Sequence, residues 1–308
     1  MCSSDLLMLA TTETSDLGLT PPPDIIKLVN KRAHKLRMLP AVATEALELA
    51  KNPECTITEF ATVVERDVKL ATDMLKIANS ALYCPTTPIL NLHRAVVRLG
   101  FRECQYLIMT ASVSSLMNRL PLDEEWIREV HSRHSFNTAL LAVHLNRIFH
   151  FGFNGEEFTA GLMHDFGRIL IALVDPDRYQ EIDPMSFDES PETLEHERAI
   201  FGTDHCRLGA WYATQQRLPM PLPEVILHHH QPELAEQGQR LTTLIAVADH
   251  MANHLQRHEE AAGYDPSSNP FWPALVEHAD PNVEQHFDEL TPVLMEVAQR
   301  DAESLMKS

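Results

Sequence analysis

Apolar residues along most of the chain recur at spacings of three and four positions, which is the periodicity of one face of an α-helix. Val42, Ala46 and Leu49, for example, share one helical face. Only ten glycines occur among the 308 residues, and no segment shows a convincing alternation of apolar and polar positions, as a half-buried strand would. The pattern therefore predicts an all-α protein.

Capping signals mark the helices in the first part of the chain. Thr56, followed three residues later by Glu59, forms a capping box for one predicted helix. Asp67 and Asn91 are suitable N-caps for the next helices, because their short side chains accept hydrogen bonds from free backbone amides. We therefore expect residues 24–118 to form a compact N-terminal helical lobe.

The two ends of the chain have a different character. Residues 1–23 are polar, lack helical periodicity and end in three consecutive prolines, which predicts a flexible leader. Residues 259–308 begin with a proline-containing loop and continue with apolar residues, including Leu290 and Leu294, at helical spacing. This C-terminal extension is expected to end in a helix that packs on either lobe or on a partner.

A second helical lobe is predicted over residues 119–258. A long helix should run from about Glu124 to Phe149, and Asn154 with Glu157 resembles a capping box for a helix that continues to Val174. Further helices are predicted after Ser190-Pro191, after Asp204 as N-cap, after Pro221, and from Leu241 to about His258.

Charge and cysteine content limit the class of protein. The chain has 44 acidic and 25 basic residues, a formal net charge of −19, which argues against direct binding of duplex nucleic acid. The five cysteines are scattered and form no CxxC pair, so neither a disulfide framework nor a zinc ribbon is indicated. Without a secretory signal or a long apolar run, we expect a soluble protein of the reducing cytoplasm.

Histidines are concentrated in the second lobe, where thirteen of the seventeen fall between His131 and His258. His164 and Asp165 are adjacent at the centre of an apolar predicted helix, and burying both is costly unless they find a partner. A metal ion is one such partner. The alternative is a hydrogen-bonded Asp–His pair at the helix surface.

Asp249 lies within the apolar stripe of its predicted helix, between Ile245 and Ala252. A carboxylate that faces the interior needs a cation, hydrogen bonds or a shifted pKa, and a divalent metal supplies the first. The alternative is a salt bridge to a basic side chain, for which the candidates are Arg94, Arg98 and Arg133.

Three further histidine positions complete the candidate set. His134 is expected to face inward from the long helix, and His205 follows directly after the predicted cap Asp204. His229 and His230 belong to a histidine run at the end of a short predicted helix. Such a run also occurs as a surface tract or an adventitious metal binder.

The order of these side chains on successive helices resembles the metal-ligand order of the HD superfamily of phosphohydrolases. It is most similar to the HD-GYP branch and to its relative, the HDOD domain. The first lobe also resembles the HDOD domain, and the resemblance spans about residues 30–255. The stretches that carry it in the first lobe are Leu39–Val42, Asp67–Ala71, Ile77–Tyr83 and Ala95–Gly100.

The resemblance implies an N-terminal helical lobe packed on a divergent HD-type bundle that binds one or two divalent ions, with iron, manganese or zinc best suited. Many HDOD domains have lost HD ligands and act as regulatory modules in signal transduction, whereas this chain keeps a matching side chain at every position. Other signalling proteins are the expected partners. One ion would be held by His134, His164, Asp165 and Asp249, and a second by His205, His229 and His230, with Asp165 bridging.

The alternative implied by the same resemblance is a metal-dependent phosphohydrolase acting on a phosphorylated small molecule or nucleotide. Asp165 and Arg168 would then be catalytic, because Arg168 offers a permanent cation to phosphoryl oxygens. Active HD-GYP enzymes usually have lysine at the position of Arg168, and no Gly-Tyr-Pro motif follows the histidine run. Efficient hydrolysis of cyclic di-GMP is therefore not expected.

Overall fold

A computed structural model of the chain consists of helices and connecting loops, with no strand in the part of the chain that it describes. The predicted all-α class is thus confirmed. No helix in the same part is both long and apolar enough to cross a bilayer. The described residues are 19–33, 39–80, 83, 86–182, 191–277 and 281–306. Most of the predicted leader lies outside them, although Leu19 packs against the core.

The first part of the chain forms short amphipathic helices with the predicted caps. Thr56 and Glu59 form the expected reciprocal capping box. The side chain of Asp67 accepts from the amide of Leu70, as that of Asn91 does from the amide of Arg94. The helices are α1 (Pro23–Ala33), α2 (Ala41–Leu49), α3 (Ile57–Glu65), α4 (Val68–Ala78), α5 (Leu92–Leu99) and α6 (Phe101–Met117).

Helices α2 to α6, called here the first helical group, pack on one another around apolar side chains that are almost fully buried. Phe60 meets Phe101 edge to face with ring centroids 5.4 Å apart, and Met74 and Ile108 fill the space between α4 and α6. Burial of such side chains supplies most of the stabilisation of short helices, which are marginal in isolation.

The remainder of the chain forms longer and more deeply buried helices. Asp204 caps one of them, as predicted, by accepting from the amide of Arg207. The helices are α7 (Glu125–Phe149), α8 (Glu156–Met163), α9 (Phe166–Val174), α10 (Pro176–Ile182), α11 (Pro191–Phe201), α12 (His205–Gln215), α13 (Leu222–His228), α14 (Gln239–His258), α15 (Trp272–Val276) and α16 (Pro281–Met306).

The prediction of one continuous helix from the cap at Asn154 to Val174 is wrong. The chain leaves helical geometry at Asp165, with φ −98° and ψ 11°, so that α8 and α9 are separate helices. The predicted capping box is also wrong, because Gly155 occupies the N-cap with φ 104° and Asn154 bonds instead to the carbonyl of Gly152. A glycine at positive φ lets the chain turn sharply into α8, which places Asn154 one residue too early to cap it.

Helix α7 is the centre of the second helical group, which comprises α7 to α14 and α16. It packs against α8, α14 and α16. The approach of α8 is close because a Cβ on Gly161 would lie 2.6 Å from the Cα of Ala139. Helix α9 approaches α12 in the same way, since a Cβ on Gly167 would lie 1.8 Å from the carbonyl oxygen of His205. Both glycines are required by these contacts.

The C-terminal helix α16 packs against α7 and α14, which answers the question left open by its sequence. An aromatic cluster fixes the extension there: the ring of Trp272 stacks on Phe287 at 4.1 Å and meets Phe149 at 5.6 Å between centroids. The two helical groups are joined where α6 packs on α8. Helix α1, which precedes the first group, packs on α9 of the second.

Candidate metal centre

One cluster of the candidate ligands forms where α7, α14 and the junction between α8 and α9 meet. The Nε2 atoms of His134 and His164 lie 3.2 Å apart. Oδ1 of Asp249 lies 2.9 Å from the first and 3.3 Å from the second. The break at Asp165 produces this arrangement, since it lets two adjacent residues, one ending α8 and one preceding α9, point to the same centre. These residues form the first cluster: His134, His164, Asp165 and Asp249.

The alternative of a salt bridge from Asp249 to an arginine is not what the structure contains. Asp249 contacts the two histidines of the first cluster and accepts from the amide of Asn253 at 3.4 Å. The three candidate arginines are exposed on other helices: Arg94, Arg98 and Arg133.

The second cluster lies beside the first, where the beginning of α12 meets the end of α13. The Nε2 atoms of His205 and His230 are 3.1 Å apart, and the rings of His229 and His230 have centroids 4.1 Å apart. His205 is held at this position because Asp204 caps α12 immediately before it. His228 points elsewhere, toward Glu224 of its own helix.

Asp165 lies between the two clusters, and its two oxygens face different histidines. Its Oδ2 is 3.7 Å from Nε2 of both His134 and His164. Its Oδ1 is 3.3 Å from Nε2 of His205 and 3.4 Å from Nε2 of His229. The structure thus brings all seven candidate ligands together, with Asp165 at the position of a bridging ligand.

Backbone and carboxylate acceptors fix how three of the imidazoles are protonated. Nδ1 of His164 lies 2.7 Å from the carbonyl oxygen of Gly161, and Nδ1 of His229 lies 2.9 Å from that of Ile226. A carbonyl oxygen can only accept, so these Nδ1 atoms carry the protons. Burial lowers the pKa of His164, but Asp165 and Asp249 raise it above its usual value. In their neutral form the rings of His164 and His229 would present the lone pairs of Nε2 to Asp165, which is the arrangement that ligating histidines usually show.

The third imidazole is held by a residue that sequence reasoning missed. Both oxygens of Glu197, on α11, lie within 2.9 Å of Nδ1 of His205, and one also accepts from the backbone amide of His205 at 2.7 Å. Glu197 is 1% exposed. Its position in a polar segment gave no signal, because nothing in the sequence shows which face of α11 turns inward.

Arg168 is the one guanidinium at the centre among the residues described. Its Nε lies 3.0 Å from Oδ2 of Asp165, one turn earlier in the chain, and the residue is 4% exposed. Burial alone would raise the pKa of Asp165, but Arg168 and the neighbouring histidines hold that pKa well below its usual range. The Asp165 carboxylate is consequently ionised.

The neighbouring groups are also shifted by their surroundings. Burial raises the pKa of Asp249, but His134 and His164 hold it well below its usual range. Burial lowers the pKa of His229, and burial with the adjacent imidazoles lowers that of His230 well below its usual value. Two carboxylates thus face several imidazoles, of which His229 and His230 are held in the neutral form, and this donor set suits a divalent cation.

Several buried polar side-chain atoms make no hydrogen bond to any described residue. Three of these atoms lie where the two clusters meet: both carboxylate oxygens of Asp165, of which Oδ2 forms the ion pair with Arg168, and Nε2 of His229. Leaving such atoms unsatisfied in the interior costs free energy. All three lie at the meeting point of the two clusters, so the residues present fit a bound divalent metal.

The centre is closed to solvent on most sides. His134, His164, His205 and His229 have no exposed surface, Asp165 is 1% exposed and Asp249 4% exposed. His230 is half-buried and is the one candidate ligand with substantial exposure.

A second concave feature lies apart from these ligands. It is a groove of about 820 Å³ between α4 and α6 on one side and α7, α14 and α16 on the other, and is called here the inter-group groove. Charged pairs line it, including Lys69 with Asp73 and Arg128 with Glu125, each pair 2.6 Å apart. Its volume is that of a small-molecule site.

Comparison with known proteins places residues 36–232 in the HDOD domain family model. A relative from Treponema pallidum (strain Nichols), named Uncharacterized protein, is 24% identical over 235 residues. That match covers 72% of this chain and 44% of the relative. The chain thus corresponds to less than half the length of the curated relative.

Two solved structures share the fold over nearly the whole chain. An HDOD domain protein of unknown function from Geobacter sulfurreducens is 20% identical with a TM-score of 0.65, covering 90% of this chain and 97% of that one. A protein of Shewanella amazonensis SB2B, provisionally named a phosphohydrolase, is 20% identical with a TM-score of 0.64 and coverage of 92% and 100%. At this identity the likeness concerns the fold.

Proposed function

The chain belongs to the HDOD domain family, and from this premise we propose that it is a metal-binding regulatory module of signal transduction. The metal is one or two divalent ions, with iron, manganese or zinc best suited to the donor set. The module acts through contacts with other signalling proteins or with a small ligand. The metal stabilises the second helical group, and the first helical group carries the state of the protein to its partners.

The observation that carries this proposal is a complete ligand set with almost no solvent exposure. The candidate ligands come from α7, the junction of α8 and α9, α12, the end of α13, and α14, and all but His230 are buried. When bound, the metal neutralises the two carboxylates and links these elements. A substrate-processing centre would need an open position and a pocket beside it, whereas a linking role needs neither.

The inter-group groove supports a regulatory role for the interface between the helical groups. A ligand of small-molecule size bound there would contact α4 and α6 of the first group together with α7 and α14 of the second. Such a ligand would favour one relative arrangement of the groups and thereby alter the surface offered to a partner.

The proposal is tested by metal content and stability of protein purified without a histidine tag. We expect about one or two transition-metal ions per chain by elemental analysis, and their loss in the His164→Ala, Asp165→Ala double variant. Protein that is fully folded and free of metal, and that remains so after incubation with iron, manganese or zinc, would contradict the proposal.

A second candidate function, metal-dependent phosphohydrolase, is favoured by one contact. Arg168 lies beside Asp165, where a guanidinium can bind phosphoryl oxygens in two-point fashion. A substrate would have to reach the centre from the side of His230, the candidate ligand that is partly exposed. In this role Arg168 would orient the phosphoryl group, and Asp165 would bridge the two clusters.

Single-turnover assays separate the two functions. Wild type and the His164→Ala, Asp165→Ala variant are compared on cyclic di-GMP and on a chromogenic phosphodiester, with added manganese or iron. The regulatory proposal predicts no metal-dependent cleavage of either. Rapid cleavage of the cyclic dinucleotide that the variant abolishes would instead establish an HD-GYP-like enzyme, despite Arg168 and the absent motif.

A further inference from the structure

The second cluster contains a fourth donor that the sequence did not single out. Cys206 follows His205 at the beginning of α12 and is 4% exposed. One ligand atom from each of His205, Cys206, His229 and His230 lies within 4.8 Å of the others. Four donors bound tetrahedrally at about 2.0–2.3 Å from a metal would lie about 3.3–3.8 Å apart, so binding would draw these atoms together by at most about 1.5 Å.

An independent observation points to a cation at the same position. Nε2 of His229 is fully buried and makes no hydrogen bond within the described residues, while its Nδ1 is fixed by the carbonyl of Ile226. A lone pair held in the interior without a donor is costly, and a metal ion satisfies it.

We propose that Cys206 is a thiolate ligand of the second cluster, which is thereby a His₃Cys site formed by His205, Cys206, His229 and His230. This inference rests on the proposed metal-binding function and adds sulfur to the imidazole and carboxylate donors predicted from the sequence. The first cluster offers nitrogen and oxygen only, so the two positions differ in chemical character.

The donor set determines the class of metal at each position. A thiolate with three imidazoles selects zinc, or iron(II) or cobalt(II) in its place, over magnesium and manganese, which prefer oxygen. On binding, the Cys206 S–H bond breaks, a sulfur–metal bond forms, and the proton passes to solvent. No oxidant or reductant takes part.

Cobalt(II) provides a direct probe, because a thiolate bound to cobalt gives a charge-transfer band in the near ultraviolet that imidazole and carboxylate ligands do not give. Metal-free full-length protein is titrated with cobalt(II) and its spectrum recorded. We expect the band in wild type and in Cys104→Ser, a matched control because Cys104 is also buried, but in the first helical group. We expect its absence in Cys206→Ser.

The metal environment of zinc-loaded wild type gives a second measurement, which does not require Cys206→Ser to fold. X-ray absorption at the zinc edge of wild type should show a sulfur neighbour at about 2.3 Å. A variant with every cysteine except Cys206 replaced by serine should retain both the sulfur neighbour and the cobalt band. Competition with a chelator should show zinc binding at least about tenfold weaker in Cys206→Ser than in Cys104→Ser.

The outcomes distinguish this inference from the function on which it rests. Stoichiometric cobalt or zinc without a charge-transfer band or a sulfur neighbour would overturn the role of Cys206 and leave the metal centre intact. A band that persists in Cys206→Ser would overturn it too. Failure of wild type to bind any of these metals would overturn both.

Discussion

Three of the histidines that face Asp165 are held by a second contact behind the ring. For His164 and His229 that contact is a carbonyl of the preceding helical turn, which no side-chain substitution removes. For His205 it is the side chain of Glu197. Of these three contacts, the one from Glu197 can therefore be removed by mutation without changing a candidate ligand.

Glu197→Gln should weaken metal binding about 10- to 100-fold, the usual effect of losing a carboxylate behind a ligating histidine. The amide can replace only one of the acceptor oxygens that now bond to the ring and backbone of His205. Competition with a chelator measures the affinity. Glu195→Gln, an exposed position on the same helix, is the control, and equal affinities of the two variants would refute the role of Glu197.

A second residue-level prediction concerns Glu157, which lies away from the centre. Its carboxylate accepts from the side-chain amide of Asn146 at 2.7 Å and from the backbone amide of Gly155 at 2.8 Å. Burial raises its pKa from 4.5 to about 7. The hydrogen bonds from Asn146 and Gly155 oppose this shift, and the neighbouring charge of Glu156 adds to it. The folded state thus binds this proton more tightly than the unfolded chain.

The stabilisation from Glu157 should be complete below pH 4.5 and lost as the pH rises through 7, because the raised pKa belongs to the folded state. When the pH is raised from 5 to 8, the free energy of unfolding should therefore fall by about 2 kcal/mol because of this group. Urea unfolding at both pH values measures it. Glu157→Gln should reduce the pH dependence and the exposed control Glu129→Gln should not; an unchanged slope in Glu157→Gln would contradict the assignment.

The burial of several candidate ligands could be predicted, because a charged or polar residue within an apolar helical face is visible in the sequence. Asp249 interrupts an apolar stripe, and His164-Asp165 interrupts an apolar helix, so both positions indicate a partner in the interior. Glu197 lies among other polar residues, and its inward orientation depends on how α11 packs. Cys206 is apolar enough to pass for an ordinary core residue.

At the scale of helices, two close approaches position the centre. Gly167 lets α9 touch the first turn of α12, which brings Asp165 and Arg168 beside His205. Gly209, one turn later on α12, faces the backbone of Gly167 and the side chain of Ile226. The two glycines differ in what a methyl group would meet.

Gly167→Ala should destabilise the protein by at least about 3 kcal/mol, because its Cβ would meet a backbone carbonyl that cannot move aside. Gly209→Ala should cost less, about 1–2 kcal/mol, since its Cβ would meet the movable Cγ2 atom of Ile226 at 2.9 Å and the backbone nitrogen of Gly167 only at 3.1 Å. Thermal or urea unfolding of both variants measures the difference. Similar losses at the two positions would show that the close approach is not decisive.

Helix ends were predictable where a side chain caps the backbone, as at Thr56, Asp67, Asn91 and Asp204. The break at Asp165 was not, because the residues on both sides are apolar and favour continuation. Its cause is tertiary: the chain departs from helical geometry where two adjacent polar side chains must reach one centre. Local helix propensity does not reflect that tertiary requirement.

At the scale of the whole molecule, the candidate ligands connect elements from α7 to α14. A metal bound by them stabilises the folded chain by about 2.7 kcal/mol when its free concentration is one hundred times the dissociation constant. For a chain of this size the melting temperature should rise by about 5 °C or more.

Asp249→Ala should lower the melting temperature of the metal-loaded protein more than that of the metal-free protein. When the ion is present, the carboxylate contributes to metal binding, and its loss weakens that stabilisation. When the ion is absent, Asp249 is a buried charge held by two histidines, so its loss costs less. Differential scanning calorimetry with and without zinc or manganese measures both shifts. Asp73→Ala, on α4, is the control, and equal shifts for Asp249→Ala in the two states would contradict the prediction.

The position of the candidate ligands along the chain also bears on synthesis. A ribosome delivers His134 early and Asp249 much later, after α8 to α13 have emerged, and the N-terminal domains of a chain generally fold first. An incomplete chain would offer only part of the donor set, and contacts between distant segments form slowly. An ion at the first cluster would accordingly be captured late, because a ribosome-bound chain stalled before α14 lacks Asp249, although it contains all four donors of the second cluster.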